Sequence, residues 1–151
     1  MGPQSDPIVV TGMGVVSPLG VGVSVNWDRL IAGKSGIVPN TRFDTSAYSA
    51  RIAGLVPSKE TDPDGFDPLM AFDNPKDLKK TDHFIRYGLV AAAEALAQSG
   101  WEPKTDAERA ATATIIGTGV GGSPIMHDTS LVIHERVHAG SASSPCRASS
   151  P

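Results

Sequence analysis

Residues 8–20 read Ile8-Val9-Val10-Thr11-Gly12-Met13-Gly14-Val15-Val16-Ser17-Pro18-Leu19-Gly20. The first four are apolar or β-branched without polar alternation, which predicts a strand that is buried on both faces. The glycines after them predict a tight turn whose backbone passes close to other backbone. Ser24 then predicts the N-cap of a short helix that ends at a left-handed Gly33. This order of strand, glycine turn and helix is typical of an α/β domain.

The rest of the chain adds one clear helix and one further strand. Residues 35–74 are rich in Pro, Gly, Asp and Ser and predict a surface loop, interrupted by a candidate strand at 51–56. A helix is predicted from about His83 to Ser99, with Thr81 or Asp82 as its cap and Gly100 at its end. Its apolar stripe returns at steps of three and four residues and consists of Ile85, Leu89, Ala92, Ala93 and Leu96. Residues 113–116 predict a second buried strand, which ends in a glycine cluster at 117–122.

Composition narrows the class of protein. A length of 151 residues is enough for one globular domain. Thirteen Lys and Arg residues against 16 Asp and Glu residues exclude the strongly basic surface of a general nucleic-acid binder. The single cysteine, Cys146, excludes an internal disulfide and favours a reducing compartment, so we expect a cytoplasmic location. No apolar run reaches the length of a membrane span.

The character of the chain changes after Gly122. Residues 123–151 are rich in serine and hold three of the four histidines and the cysteine. We therefore expect an N-terminal extension at 1–7, a folded portion at 8–122 and an irregular tail at 123–151. The last dozen residues resemble disordered sequence.

The tail contains one pattern with chemical meaning. His134-Glu135-Arg136-Val137-His138 has the spacing with which zinc proteases bind their metal. No His, Asp or Glu follows it, so a metalloprotease would need a third ligand from upstream, with His127, Asp128 or Cys146 as local substitutes. Another alternative is a structural zinc site, made of His127, His134, His138 and Cys146. The serine-rich surroundings favour a third interpretation, in which the histidines are solvated and hold no metal. Cys146 is either an activated nucleophile or, as its irregular surroundings favour, a free thiol.

Three lysines precede the long helix. Residues 75–80 predict one or two basic helical turns. The steps of three and four residues from Lys76 to Lys79 and Lys80 place Lys76 with both other lysines on one helical face. Such a face is either solvated or docks an acidic partner or a phosphate.

The glycine clusters admit a cofactor interpretation as well as a structural one. Residues 12–17 begin like a dinucleotide-binding loop, but Ser17 stands in the place of the third glycine. The cluster at 117–122 is followed by Pro124 without a clear helix. Close backbone packing is therefore the favoured interpretation of both clusters, and we predict no cofactor.

Five separated segments together resemble the β-ketoacyl-acyl carrier protein synthases, most closely the type II elongation enzymes of fatty-acid synthesis. They keep their order and approximate spacing over residues 8–122. The segments are residues 8–20, Trp27–Gly36 (WDRLIAGKSG), Arg42–Ser46 (RFDTS), Asp77–Gly88 (DLKKTDHFIRYG) with the alanine-rich helix after it, and Ile116–Gly122 (IGTGVGG).

The resemblance implies a thiolase-like fold, which alternates helix and sheet in five layers and usually forms a homodimer. This chain would then hold a part of that α/β fold, followed by an irregular tail. The resemblance also implies a condensation in which a cysteine takes an acyl chain from carrier protein. Two histidines support the decarboxylation of malonyl-carrier protein. Neither the cysteine motif nor the two histidine motifs of the family occur in residues 1–151, so we assign no catalytic residue and expect this chain alone to be inactive.

Two sets of site residues carry over from the resemblance. Val120 falls where the family places an apolar residue beside the acyl pocket. Lys76, Lys79 and Lys80 coincide with a basic stretch that receives the acidic recognition helix of acyl carrier protein. Because the resemblance breaks off after Gly122, we expect a frameshifted or truncated reading of a longer gene. The alternative functions are a non-catalytic module that binds carrier protein or dimerises, and a zinc-binding protein.

Overall fold

The computed structural model describes residues 7–72 and 74–141, except for the side chains of Lys79 and of residues 138–141. The chain divides into two compact units, Met1–Thr114 and Ile115–Pro151. The strands of the first unit are β1 (Val16–Ser17), β2 (Gly20–Val21), β3 (Ile37–Pro39) and β4 (Ile52–Gly54). Its helices are α1 (Val23–Ile31), α2 (His83–Ser99) and α3 (Asp106–Ala110), with 3-10 helices at Pro68–Met70 and Pro75–Lys80. The second unit contains helix α4 (Ser123–Ser141).

The strands of the first unit form two antiparallel hairpins. β1 pairs with β2, with Ser17 opposite Gly20, and β3 pairs with β4. Gly20 has a φ of +117°, and a Cβ at this position would lie 2.9 Å from the carbonyl oxygen of Asp64. Only glycine therefore fits at the first residue of β2, directly after the turn. β4 confirms the strand predicted within residues 51–56.

Helix α1 begins before the residue that the sequence predicts as its cap. Its N-cap is Gly22, at φ +96°, and Ser24 lies inside the first turn. The predicted end is confirmed, because Gly33 follows the helix at φ +67°. The earlier start has a tertiary cause, because the Glu94 side chain of helix α2 accepts a hydrogen bond from the amide of Val23, the first residue of α1.

The two segments predicted as buried strands are not strands in the described residues, and this prediction is wrong there. Residues 8–11 and 113–116 have no assigned secondary structure. Val10 is 80% exposed and Ile115 is 93% exposed. A strand needs a hydrogen-bonded neighbour, and neither segment pairs with one in the described part of the chain. An apolar β-branched composition identifies a segment that can form a strand but does not supply its partner.

Helix α2 spans His83–Ser99, as predicted. Asp82 caps its N-terminus by accepting a hydrogen bond from the His83 amide, and Gly100 ends it at φ +64°. Asp82 is only 8% exposed, so the capping residue is buried.

The face of α2 that packs is not the predicted apolar stripe. Val90 is 8% exposed, whereas Leu96 of the predicted stripe is 54% exposed. Beside Val90, the ring of Tyr87 meets the edge of the buried Phe66 ring, with 4.8 Å between the ring centroids. The core of the first unit therefore lies along the Tyr87 and Val90 side of α2. Periodicity located the helix, but the neighbouring segments selected its buried face.

The second unit corrects the expectation of an irregular tail. Residues 123–141 form helix α4, with Pro124 in its first turn, where proline is tolerated. Gly121 and Gly122 lead into it with φ values of +52° and +70°. Open space surrounds Gly117 and Gly119, so the close packing predicted for this second cluster is wrong at these two positions. Residues 142–151, which include Cys146, lie outside the described residues.

None of the described helices combines the length and the apolar composition that crossing a membrane requires.

Candidate functional site

The first glycine segment lies directly on helix α2. A Cβ on Gly14 would stand 1.8 Å from the carbonyl oxygen of Ala91, and a Cβ on Gly12 would stand 2.1 Å from that of Ala95. Gly12 and Gly14, two residues apart, therefore contact helix positions that are four residues, or about one turn, apart. Neither distance leaves room for a carbon atom. The close backbone packing predicted for residues 12–17 is confirmed.

Polar side chains of α2 hold the same segment. The Met13 amide donates to Oε1 of Gln98 at 2.6 Å, and the Val15 amide donates to Oε2 of Glu94 at 3.0 Å. The other oxygen of Glu94 accepts a hydrogen bond from the Val23 amide at 2.7 Å. Val23 is the first residue of α1, whose own N-cap supplies no side-chain hydrogen bond. The carboxylate therefore satisfies a free amide at the positive end of that helix.

Sequence reasoning missed Glu94. The sequence feature that could have identified it is a carboxylate that lies between Ala91 and Ala95, the small residues against which the glycine segment packs. A carboxylate on a close-packed helix face is unusual unless backbone amides donate hydrogen bonds to it.

Arg29 ties α1 to the loop that follows β4. Its guanidinium donates to both oxygens of Asp62 at 2.7 and 2.8 Å, to Asp64 at 2.8 Å and to the carbonyl oxygen of Leu19 at 2.8 Å. The hydrogen bonds from Arg29 and from the Asp64 amide lower the pKa of Asp62 to about 2. This ion pair is fully formed at neutral pH and orients the hairpin turn next to α1.

The predicted lysine cluster lies on a 3-10 helix, Pro75–Lys80, which we call the lysine turn. Pro75 occupies its first position, and the Asn74 side chain accepts a hydrogen bond from the Lys76 amide at 3.0 Å. Both features favour the start of a helical turn at this point. The predicted basic helical turn is confirmed as an element.

The lysine turn is a 3-10 helix and not an α-helix, so the three lysines do not share the single face that their spacing predicts for an α-helix. With three residues per turn, positions 76 and 79 align, whereas position 80 lies a third of a turn away. Lys76 is exposed, and Lys80 is 74% exposed while its Nζ lies 3.1 Å from Oδ1 of Asp77. The side chain of Lys79 lies outside the described part of the structure. The two described lysines thus present their charges to solvent.

Arg86 of helix α2 reaches back to the lysine turn. Its Nη2 donates to the carbonyl oxygen of Leu78 at 2.5 Å and to that of Thr81, and its Nε donates to Oγ1 of Thr81 at 3.3 Å. The Thr81 hydroxyl in turn donates to the carbonyl oxygen of Asp77 at 3.1 Å. The far end of the lysine turn is therefore tied to α2.

His83, the first residue of α2, stands beside this connection. Partial desolvation lowers the pKa of His83, and the cations Arg86 and Arg42 lower it further, against the opposite effect of Asp82. The imidazole is therefore held toward its neutral form.

The other predicted site residues lie in the second unit. Val120 is 81% exposed in the turn before α4. Helix α4 carries His127, His134 and the backbone of His138, so the motif spacing falls on one helix. Within the described residues, no three His, Cys, Asp or Glu side chains come together as a metal site. Cys146, the proposed fourth ligand, lies outside the described residues.

The sequence of this chain matches a known protein family over nearly its whole length. The model of the β-ketoacyl synthase N-terminal domain matches residues 5–150, nearly the whole chain. The chain belongs to the β-ketoacyl synthase family. The resemblance found in the five segments is thereby confirmed. The match also runs past Gly122, so the boundary at 122 and the separate tail stay predictions.

Individual members of the β-ketoacyl synthase family are also similar to this chain in sequence. The chain is 44% identical over 118 residues to 3-oxoacyl-[acyl-carrier-protein] synthase 2 of Coxiella burnetii, covering 78% of this chain and 26% of that protein. It is 45% identical over 115 residues to the protein of the same name from Vibrio cholerae, covering 76% of this chain and 26% of that one. The chain thus spans about a quarter of the length of these relatives.

A solved structure confirms the fold class. The chain is similar to the ishigamide ketosynthase/chain length factor, with a TM-score of 0.58 and 30% identity, covering 87% of this chain and 30% of that one. The thiolase-like α/β fold that the family resemblance implies is therefore confirmed, and the described residues form a part of it.

Proposed function

We propose that this chain supplies the N-terminal portion of a 3-oxoacyl-[acyl-carrier-protein] synthase of fatty-acid biosynthesis, an acyltransferase. The observation that carries the proposal is its membership of the β-ketoacyl synthase family, together with relatives that bear this name at 44% and 45% identity. The reaction would join an acyl thioester to a malonyl group on carrier protein with loss of carbon dioxide. A cytoplasmic location remains a prediction from the single cysteine.

The role proposed for the described residues is to receive acyl carrier protein. Lys76 and Lys80 are exposed on a capped turn, and Arg86 of α2 donates hydrogen bonds to the end of that turn. Charges on a fixed element attract an acidic partner, speed its encounter and favour its correct orientation. The lysine turn is therefore the proposed docking surface, with Lys79 included by resemblance.

A charge reversal tests this docking. An acidic acyl carrier protein is titrated onto the 151-residue chain and onto Lys80→Glu, with binding followed at two salt concentrations. Lys104→Glu is the matched control, because Lys104 is also exposed and its replacement makes the same change in net charge. Weaker, less salt-dependent binding in Lys80→Glu alone supports docking at the lysine turn. Equal binding by the two variants would refute it.

The acyl pocket and the dimer are further parts of the proposal. Val120 is apolar and 81% exposed, so its side chain is available to border an acyl chain. A homodimer is supported by the family resemblance and by large apolar side chains that the described residues leave exposed, such as Trp27 at 60% and Ile116 at 80%. Sedimentation equilibrium would test the dimer, since a monomer at micromolar concentration would contradict it.

The second candidate is a module that binds carrier protein or dimerises without catalysis. It shares the lysine turn with the first candidate, and the observation in its favour is that the motifs of the catalytic cysteine and histidines do not occur in the 151 residues. Because the chain alone is expected to be inactive under both candidates, a condensation assay separates them only after the chain is mixed with the remaining, catalytic portion of a β-ketoacyl synthase. Restored turnover would support the first candidate, and no turnover would support the second.

A further inference from the structure

We infer that Arg86 is a positioning residue for the lysine turn, which it holds in one orientation on helix α2 while placing a fixed positive charge at its base. The inference rests on the proposed docking of carrier protein at this turn. Arg86 itself need not touch the partner. It acts on the backbone that carries Lys76 and Lys80.

The acceptors of Arg86 are groups that the short helix leaves without partners. The last carbonyls of a helix have no following turn to donate to them. Leu78 lies in the last turn, and Thr81 is the extended C-cap, at φ −126° and ψ 139°. Arg86 donates to both carbonyl oxygens, and through the Thr81 hydroxyl it is linked to the carbonyl oxygen of Asp77. One side chain thus satisfies the C-terminal end of the lysine turn.

No carboxylate among the described residues neutralises the charge of Arg86. Its partners are carbonyl and hydroxyl oxygens, and among the described residues it forms no ion pair. Lys80, in contrast, shares its charge with Asp77 at 3.1 Å. Arg86 is also half-buried, so solvent screens it less than an exposed lysine. Among the described cations of this surface, Arg86 is therefore the one whose position is set by contacts with the fold.

The guanidinium is suited to this task in a way that an ammonium is not. Arginine presents five N–H donors in a planar fork, which can reach two carbonyl oxygens and a hydroxyl at once. Lysine keeps the charge but offers one nitrogen on a flexible stem. Glutamine removes the charge and keeps two donors. The variants Arg86→Lys and Arg86→Gln therefore separate geometry from charge.

The first test needs no partner. Backbone amide exchange is followed by NMR on the 151-residue chain and on Arg86→Lys. The matched control is Arg51→Lys, because Arg51 also donates to two carbonyl oxygens, those of Ser46 and Tyr48, away from the lysine turn. We expect the amides of residues 77–80 to exchange on the order of tenfold faster in Arg86→Lys, and at the original rate in Arg51→Lys. Amides in the centre of α2 should stay protected in both.

Two results would overturn the inference. One is unchanged exchange at residues 77–80 in Arg86→Lys, since the guanidinium would then not order the turn. The other is equal acceleration throughout α2, since Arg86 would then act on general stability and not on the position of the turn.

The second test measures association with an acidic acyl carrier protein by surface plasmon resonance. Arg86→Lys should raise the dissociation rate several-fold and leave the association rate and its salt dependence unchanged. Arg86→Gln should also lower the association rate. Wild-type kinetics in Arg86→Lys would contradict positioning. If the unaltered chain does not bind carrier protein, the proposed docking fails, whereas the amide exchange still decides whether Arg86 positions the turn.

Discussion

Glu94 accepts a hydrogen bond from the backbone amide of Val23 at 2.7 Å and so joins the middle of helix α2 to the first residue of α1. Its second oxygen holds the Val15 amide at 3.0 Å. One carboxylate thus orients both the glycine segment and the helix after it. Because these contacts span more than 70 residues of sequence, they form only when the first unit folds.

Replacing Glu94 with glutamine should lower the free energy of unfolding by about 1–2 kcal/mol. An amide keeps one acceptor oxygen, loses the second, and brings no negative charge to the N-terminus of α1. Urea denaturation measures the change. Glu102→Gln is the control, because Glu102 is exposed. The bridging role is wrong if the two variants lose the same stability.

Gly14→Ala should destabilise the chain by about 3 kcal/mol or more. The new Cβ would stand 1.8 Å from the Ala91 carbonyl oxygen, so the glycine segment must move away from α2. Gly88→Ala is an informative comparison within α2. Open space surrounds Gly88, so alanine should raise stability there by up to about 1 kcal/mol through its helix propensity. A tolerated Gly14→Ala in the same denaturation assay would disprove the close contact.

The ion pair of Arg29 and Asp62 should make stability fall in acid. The folded chain holds the pKa of Asp62 at about 2, below the ordinary value of 3.8. Asp62 therefore contributes stability above about pH 4, and this contribution is lost as the pH falls toward 2. Thermal melts from pH 2 to 5 should show a flatter profile for Asp62→Asn. Asp106→Asn, at a fully exposed carboxyl, should keep the original slope.

His83 should titrate below the ordinary value of 6.5, because burial and then Arg86 lower its pKa. His83 then binds fewer protons in the folded chain than in the unfolded chain, so its contribution to stability is complete above about pH 6.5 and is lost as the pH falls toward the lowered pKa. NMR titration of the imidazole should show a higher pKa in Arg86→Gln. Arg109→Gln, which replaces an arginine that does not act on His83, should leave the titration curve in place. The same curve in all three proteins would exclude the influence of Arg86.

The 151-residue chain by itself should not condense acyl and malonyl carrier proteins. It contains one cysteine, Cys146, which does not match the nucleophile motif of the family. Product formation is measured with radiolabelled malonyl carrier protein, with Cys146→Ala as the comparison. Turnover that persists in Cys146→Ala would contradict the expected inactivity and require another nucleophile.

Local signals in the sequence were reliable where the residues themselves hold the structure. The bounds of α2, the left-handed Gly33 and Gly100, and the turn at Pro75 follow from caps, glycine conformation and proline, which act within a few residues. The segments at 8–11 and 113–116 were predicted as strands from composition alone. Pairing is non-local, so composition could not show that both remain unpaired in the described residues.

The sequence by itself determined the family, the helix that carries the small residues, and the lysine turn, because these depend on residue identity and short-range spacing. Only the tertiary structure decided which face of α2 is buried, that Glu94 caps α1, and that Arg86 ties down the lysine turn. Each of these depends on where a distant backbone amide or carbonyl comes to lie. A polar side chain shows its partner only after the chain has folded and a buried donor or acceptor has to be satisfied.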